Sequence, residues 1–173
     1  MAEIAELCVI LRCDTKQSEQ IIYTMNKELT IEDIQEIVAK DESRYLELKQ
    51  TTGELYKAMT SACAFLNTDG GWVMFGVTPK LKIVGQNVTD PTRQEIANTL
   101  RKFEPAIDVP VQYIEIPEKE GFYVIAMYFN PPAPTQAPYT FDARPYYKVE
   151  NTTAIMPREM FEARIRRSNP EMF

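Results

Sequence analysis

The residue types available for chemistry in this chain are limited, because its 173 residues include no histidine. That absence excludes serine–histidine–aspartate and cysteine–histidine catalysis, together with histidine-ligated metal sites. Three cysteines, Cys8, Cys13 and Cys63, are odd in number and lack a CxxC spacing, which argues against both a disulfide framework and a zinc site. Carboxylates remain for acid–base or metal chemistry, and the chain has 25 acidic residues.

The basic residues offer a second kind of chemistry, the binding of phosphate groups. The candidate surface combines basic side chains with two tyrosines that could stack on bases. Its members are Lys49, Tyr146, Tyr147, Lys148, Arg164, Arg166 and Arg167. The alternative is an ordinary solvated face with half-buried tyrosines. Because the formal net charge is -6, any contact with nucleic acid depends on a local basic patch.

The stretch from residue 64 to 77 organises the rest of the chain. It reads as an apolar helix that ends, turns on Gly70 and Gly71, and continues as a buried strand. Thr51 and Glu54 form a capping-box pattern, which predicts that the helix begins near residue 52. Leu55, Met59, Ala62 and Leu66 line its apolar face. Asn67 and Asp69 are predicted to bond their own backbone in the turn, which either ends the helix or approaches a ligand.

The remaining elements follow from capping residues and apolar periodicity. Thr30 caps a predicted helix through Ala39, and Asp90 with Pro91 starts another that ends at Pro105. A period of two predicts strands at residues 46–49, 111–115, 124–128 and 144–150, with a returning hairpin strand at 82–85. In the first of these, Leu46 and Leu48 face the core, while Tyr45, Glu47 and Lys49 face outward. Pro157 opens the last helix.

Four motifs occur in the order found in a known family. They are Glu42-Ser43-x-x-Leu46-Glu47-Leu48-Lys49, then Ala64–Gly71 with Gly76-Val77, then Lys82–Gly85, and finally Pro145–Val149. In this order they resemble the Schlafen AlbA-like domain, which is widespread in bacterial proteins that are similar to transcriptional regulators and RecG helicases.

The resemblance implies an α+β fold, with a mixed and mostly antiparallel sheet flanked by helices, and a role in binding DNA or RNA. It divides the chain into an N-terminal appendage at residues 1–40, the domain at 41–160 and a C-terminal helix at 161–173. In bacterial relatives such a helix leads to a further module. The structural motif of the domain maps onto Asn67, Asp69, Gly70, Gly71 and Gly76.

Some Schlafen relatives cleave structured RNA with three acidic residues. By motif, two of them correspond to Glu42 and Glu47, and the third follows Gly76-Val77, where this chain has Thr78-Pro79. Two carboxylates can hold Mg²⁺ or Mn²⁺, but less tightly than three. Asp69 or Glu54 is a candidate replacement. The prediction is therefore that a cofactor is needed only if the chain is a nuclease, which is the less favoured function.

Three hypotheses remain open: a nucleic-acid-binding module, a metal-dependent ribonuclease, and a protein-interaction or oligomerisation domain. Glu150 stands where the family commonly has glycine, and its carboxylate would repel a phosphate. The longest apolar run near the N-terminus, Leu7–Leu11, is too short to span a bilayer, and acidic residues precede it. The sequence therefore predicts a cytoplasmic protein without a membrane partner.

Overall fold

The computed structural model describes residues 27–40 and 44–172. The first 26 residues of the predicted N-terminal appendage and the candidate acid Glu42 lie outside these ranges. The α-helices of the described part are α1 (Ile31–Ala39), α2 (Leu55–Leu66), α3 (Asp90–Leu100) and α4 (Arg158–Ser168). Short 3₁₀ turns occur at Thr52–Glu54 and Pro170–Met172. Every helix in these ranges is too short or too polar to cross a bilayer.

The strands form one main sheet and two small ones, which confirms the α+β class. The main sheet contains β1 (Leu46–Lys49), β2 (Gly71–Phe75), β3 (Gln86–Asn87), β5 (Gln112–Glu115) and β6 (Phe122–Phe129). The small sheets pair β4 (Phe103–Glu104) with β7 (Thr140–Phe141), and β8 (Tyr146–Val149) with β9 (Thr152–Ile155). Among the described strands, β1 and β2 pair in parallel, and every other pair is antiparallel.

The long strand β6 is the centre of the main sheet. It pairs with β2 and then β3 along one side, from Phe129 back to Phe122, and with β5 along the other. β3 therefore continues the path of β2 after the loop at residues 76–85. The sequence predicted the β5–β6 hairpin correctly, because its alternation is local and a proline–glycine turn separates the strands. Among the described strands, β1, β3 and β5 each pair with one neighbour and therefore lie at the edges of this sheet.

Successive side chains of a strand point to opposite faces of the sheet, so alternate residues pack into two separate hydrophobic cores. On one face, α2 and α3 cover Val73 and Phe75 of β2, and the core is rich in phenylalanine. On the other face, α1 packs against Met74, and its Ile34 and Val38 are buried. Helix α1 belongs to the predicted N-terminal appendage, yet it covers the domain's sheet directly.

The predicted helix boundaries were right for α1, and the start of α4 was right too, but α4 ends at Ser168 and not at residue 173. The boundaries of the other helices were shifted. Thr30 caps α1 through a capping box with Asp33, and α4 follows Pro157 as predicted. The Thr51 hydroxyl accepts from the amide of Gly53 and not Glu54, because a 3₁₀ turn precedes α2. The predicted capping box at residues 51–54 is therefore wrong, although the helical turn does begin at Thr52.

Two further predictions need correction. Helix α3 is capped by Thr89, so that Asp90 is its first helical residue, and it ends at Leu100 rather than Pro105. Phe103 is buried as predicted, but it lies in β4, where it pairs with β7. The predicted strand at 82–85 is reduced to one bridge between Val77 and Ile83 around the turn that begins at Thr78.

Candidate nucleic-acid interface

Strand β1 directs its two charged side chains toward α2. Leu46 and Leu48 pack in the core under α1, as predicted, so Glu47 and Lys49 project from the opposite face of the strand. Their side chains are only 21% and 10% exposed, because they lie beside α2 and the β8–β9 hairpin. The predicted alternation is thus correct, but the predicted outward direction is wrong, because these side chains face α2 and are largely covered.

Lys49 lies between two carboxylates. Its Nζ is 3.1 Å from Oε1 of Glu47 and 3.5 Å from Oε1 of Glu54, the last residue of the 3₁₀ turn before α2. Glu54 was the predicted replacement for the third acid. It does lie near Glu47, because both carboxylates contact the same ammonium group. The ammonium group between them neutralises much of their charge.

A buried lysine on β8 lies on the same side of α2. Lys148 is 7% exposed, and its Nζ donates to Oγ1 of Thr153 on β9 at 3.0 Å, which in turn lies 3.2 Å from Oγ of Ser61 on α2. Burial lowers the pKa of Lys148; the charge of Glu47 raises it and that of Arg44 lowers it. Glu47 on β1 and Arg44 just before β1 therefore lie close to Lys148 on the β8–β9 hairpin.

Arg44 connects the start of β1 to both neighbouring turns. Its Nε and Nη2 donate to Oδ2 of Asp69 at 2.9 Å and 2.7 Å, and its Nη1 donates to the main-chain oxygen of Glu150 at 3.1 Å. Asp69 therefore binds a distant arginine and does not replace a metal-binding acid beside Glu47. We call the set Arg44, Glu47, Lys49, Glu54, Ser61, Lys148 and Thr153 the polar crevice.

The turn after α2 is fixed by the side chain of Asn67, which is only 2% exposed. Its Nδ2 donates to the main-chain oxygens of Tyr139 and Tyr146, both at 2.8 Å, and its Oδ1 accepts from the amide of Tyr139 at 2.8 Å. The predicted bond of Asn67 to its own turn is therefore wrong, since the side chain joins three segments of the chain. The neighbouring hydroxyl of Thr68 accepts from the main-chain amide of Lys148 at 3.0 Å.

Gly70 and Gly71 let the chain pass closely against its surroundings. Gly70 has φ +74°, and a Cβ there would lie 2.7 Å from Cδ of Pro131. A Cβ on Gly71 would lie 2.8 Å from both the Phe65 ring and the main-chain oxygen of Tyr45. Both positions therefore exclude side chains for reasons of packing, which favours the structural interpretation of this turn.

The arginines of α4 flank this turn. Arg164 donates through Nη1 to the main-chain oxygen of Asn67 at 2.6 Å, so its cation lies at the carbonyl end of α2, where the helix dipole favours positive charge. Burial and the charge of Arg167 lower the pKa of Arg164, while Tyr147 raises it. Arg166 and Arg167 are exposed in the last turn of α4.

The structure thus brings most of the predicted phosphate-binding residues to one side of α2. Lys49 and Lys148 lie in the polar crevice, and Arg164 with Arg167 lies at the adjoining turn. The two tyrosines are half-buried, and Tyr146 packs against the core under α2.

Comparison with known proteins agrees with this architecture. A family model described as Schlafen, AlbA_2 matches residues 42–157, well over half of the chain. The chain belongs to this Schlafen AlbA_2 family. No curated protein matches it in sequence.

The fold of this chain is similar to that of solved structures. The chain is similar to the N-terminal domain of a protein from Nitrosomonas europaea described as related to the ATP-dependent DNA helicase RecG. The TM-score is 0.52 at 19% identity, and the match covers 72% of this chain and 92% of that one. For the DIP2311 protein from Corynebacterium diphtheriae, the TM-score is 0.48 at 18% identity. That match covers 79% of this chain but only 28% of the DIP2311 chain.

The metal site of the RNA-cleaving Schlafen proteins is not reproduced by the described residues. Within residues 27–40 and 44–172, no group of three acidic or cysteine side chains is arranged to hold a metal ion. Glu47 and Glu54 already share the ammonium of Lys49, and the Thr78 hydroxyl accepts from the amide of Lys82 inside its own turn. These residues do not fit a divalent cation.

Several members of the polar crevice were missed in the sequence. Arg44 lies inside the first family motif and could have been noticed there. Ser61 lies on a buried helix and Thr153 in a short strand, and neither has a local pattern that indicates a function. Ser61 and Thr153 come together only in the folded structure, where the β8–β9 hairpin packs against α2.

Proposed function

We propose that this Schlafen AlbA_2 domain binds nucleic acid, and that the polar crevice and the adjoining turn of α4 contact the phosphate backbone. The observation that carries the proposal is the convergence of cations with hydroxyl groups. Lys148 donates to the Thr153 hydroxyl, which lies beside that of Ser61. From a distant part of the chain, Arg44 and Glu47, the partner of Lys49, lie close enough for their charges to act on Lys148. Arginine, lysine, serine and threonine are the side chains that most often bind phosphate oxygens.

The charge distribution of the chain supports a localised interface. The protein is acidic overall, with a formal net charge of -6, so it does not attract a polyanion uniformly. Arg164 and Arg167 extend the positive charge of the crevice along the turn after α2. A nucleic-acid backbone that runs from the polar crevice to the turn after α2 would therefore contact several cations in succession.

The acids in the crevice set the expected strength of binding. Asp69 is paired with Arg44, and Glu47 with Lys49, so a phosphate must compete with a carboxylate for each cation. Binding should therefore be weak at physiological salt and should strengthen as the salt concentration falls. The similarity of the fold to a domain from a protein related to a DNA helicase makes DNA the first ligand to test.

Fluorescence anisotropy across a salt series tests the proposal. Labelled single-stranded DNA, duplex DNA and hairpin RNA would be titrated with the wild type and with Arg44→Ala and Arg167→Ala. Each substitution is expected to weaken binding and to reduce the salt slope by about one, as the loss of one phosphate contact does. Lys40→Ala is the matched control, because this exposed lysine follows α1 on the opposite face of the sheet.

Two outcomes of the titration and one separate assay distinguish the competing functions. Probes that stay unbound at low salt would contradict the proposal and leave a protein-interaction or oligomerisation domain as the alternative. An equal loss of affinity in Lys40→Ala would show that net charge alone matters. Incubating the RNA with Mn²⁺ and checking its length on a gel tests the ribonuclease hypothesis separately.

A further inference from the structure

We propose that Lys148 of the polar crevice binds the terminal phosphate group of a nucleic-acid strand. The inference rests on the proposed function and names the part of the ligand that enters the crevice. Lys148 is a buried cation, with 7% of its surface exposed. In the part of the chain that the structure describes, its ammonium forms no ion pair.

The acids around Lys148 are engaged with other cations. Glu47 lies close enough for its charge to act on Lys148, but its carboxylate contacts the ammonium of Lys49. Asp69 is paired with Arg44. A buried charge costs free energy unless a counter-charge or hydrogen bonds compensate it, and burial accordingly lowers the pKa of Lys148. An anion bound beside this ammonium would supply the missing counter-charge.

Hydroxyl groups next to the ammonium complete a site for an oxyanion. Lys148 and Thr153 are directly opposite each other in the β8–β9 hairpin, so their side chains share one face. Nζ of Lys148 donates to Oγ1 of Thr153 at 3.0 Å, and that oxygen lies 3.2 Å from Oγ of Ser61. An ammonium has more than one N–H to donate, so donors remain for a ligand.

A buried aromatic ring closes the inner side of the ammonium. Nζ of Lys148 lies 4.9 Å from the centroid of the Phe65 ring, which is almost fully buried. An aromatic face attracts a cation but offers no place for an anion. Thr153 is partly exposed, so a ligand at its hydroxyl lies next to the ammonium. The ligand therefore approaches from the side of Thr153.

The recessed position of Lys148 selects the end of a strand. A phosphodiester within a strand carries a sugar on each side, and both sugars would have to enter the crevice with it. A terminal phosphate carries one sugar and presents three free oxygens, so it can reach the ammonium end-on. Its charge at pH 7 is about -1.5 to -2, which exceeds that of a diester and favours it at a buried cation.

Cations continue from Lys148 along the path of the remaining strand. The main-chain amide of Lys148 donates to the hydroxyl of Thr68 at 3.0 Å, so this end of the crevice adjoins the turn after α2. Arg164 donates to the main-chain oxygen of Asn67 in that turn, and the charge of Arg167 acts on Arg164. A strand whose end is bound at Lys148 therefore meets these arginines through its next phosphates.

Anisotropy titrations with 12-nucleotide oligo(dT) strands test this inference. Three internally labelled strands would carry a 5′-phosphate, a 3′-phosphate or hydroxyls at both ends. They would be titrated at one low salt concentration with wild type, Lys148→Met and Lys40→Met, after thermal melts have shown that each protein is folded. Wild type is expected to bind one phosphorylated strand about tenfold more tightly than the hydroxyl strand, as one hydrogen bond to a charged group allows.

The two variants separate Lys148 from charge in general. Lys148→Met removes the ammonium but keeps a long side chain, and it should bind all three strands with affinities within about twofold of one another. Lys40→Met makes the same change on the opposite face of the sheet and is the matched control. It should retain the preference for the phosphorylated strand.

Inorganic phosphate provides a measurement that needs no nucleic acid. A few millimolar sodium phosphate should raise the melting temperature of wild type and Lys40→Met above that in sodium chloride of equal ionic strength, because a ligand of the folded state stabilises it. The rise should be smaller for Lys148→Met. Any general effect of phosphate on protein stability is common to the three proteins and cancels in this comparison.

The end preference of wild type decides the inference without any variant. Equal affinity for the three strands would overturn it and leave the proposed function intact. A preference that persists in Lys148→Met, or that is lost equally in Lys40→Met, would also overturn it. Absence of binding to every strand would overturn both the inference and the proposed function.

Discussion

Arg44 and Asp69 form an ion pair with two contacts across 25 positions of sequence, both to one carboxylate oxygen. The guanidinium also holds the main-chain oxygen of Glu150, so all three of its nitrogens are engaged. A phosphate that binds Arg44 must displace the Asp69 carboxylate. Asp69 therefore acts as a competitor built into the proposed interface.

Replacing Asp69 with asparagine should strengthen binding of nucleic acid. The pair is partly exposed, so its loss should cost no more than about 1 kcal/mol of stability, and freeing Arg44 should raise affinity about two- to fivefold. The salt slope should steepen by about one. Anisotropy titrations measure both quantities. Asp108→Asn, an equal change of charge at an exposed position before β5, should leave the slope unchanged.

Replacing Asn67 with alanine should destabilise the fold. The change removes three hydrogen bonds and leaves buried main-chain groups of Tyr139 and Tyr146 without their partner. We expect a loss of about 2–4 kcal/mol in the free energy of unfolding, since each unsatisfied buried group costs about 1–3 kcal/mol. Urea denaturation measures it. Asn98→Ala, at an exposed position on α3, should change stability by no more than about 0.5 kcal/mol.

Replacing Glu150 with glycine should raise both stability and affinity for nucleic acid. Glu150 has φ 56° in the turn between β8 and β9, where glycine avoids a steric cost. After allowing for the greater freedom of unfolded glycine, we expect a gain of about 0.5–1 kcal/mol. Glu150→Ala separates the two effects, because it removes the charge and keeps the strain. Thermal melts that rise equally for both variants would contradict the explanation by strain.

The stability of the domain should fall at alkaline pH partly because of Cys63. Burial raises the pKa of this thiol to about 12, against 9.0 in an unfolded chain. Between these values the unfolded thiol ionises and the folded one does not, so the stabilising contribution present below pH 9 is lost as pH rises. The expected loss is about 1.4 kcal/mol per pH unit.

The variant Cys63→Ala isolates this contribution. Tyr113 and Tyr139 also have pKa values raised by burial, and they add a similar dependence above pH 10 in both proteins. Urea denaturation between pH 9 and 10 should therefore show a shallower slope for the variant. Equal slopes would mean that Cys63 ionises in the folded state as readily as in the unfolded chain.

Local signals in the sequence predicted most of the elements. Helix α1 and the β5–β6 hairpin were predicted correctly because capping residues and alternation act within a few positions. The family motifs also predicted the α+β fold correctly. The predicted start of α3 at Asp90 was wrong because Thr89 caps this helix through Thr92. Its predicted end at Pro105 was wrong because Phe103 pairs with β7 after the helix has ended at Leu100.

The candidate site was less accessible from the sequence, because its residues act over long separations. Asn67 was expected to bond within its turn, yet its partners lie 72 and 79 positions away. Lys148 was predicted to be a surface lysine, and nothing near it in sequence indicated that the hairpin would bury it beside Ser61 and Thr153. Periodicity shows which face of a strand a residue occupies, but not what covers that face.

The long separation between the two halves of the polar crevice has a consequence for biosynthesis. Lys49 and Ser61 leave the ribosome early, whereas Lys148 and Thr153 are added roughly 100 residues later, about 5–20 s at ordinary elongation rates. Until then, Glu47 and Lys49 have no hairpin beside them and Asn67 has no Tyr139 or Tyr146 to bind. A nascent chain therefore cannot form this surface before almost the whole domain has been translated.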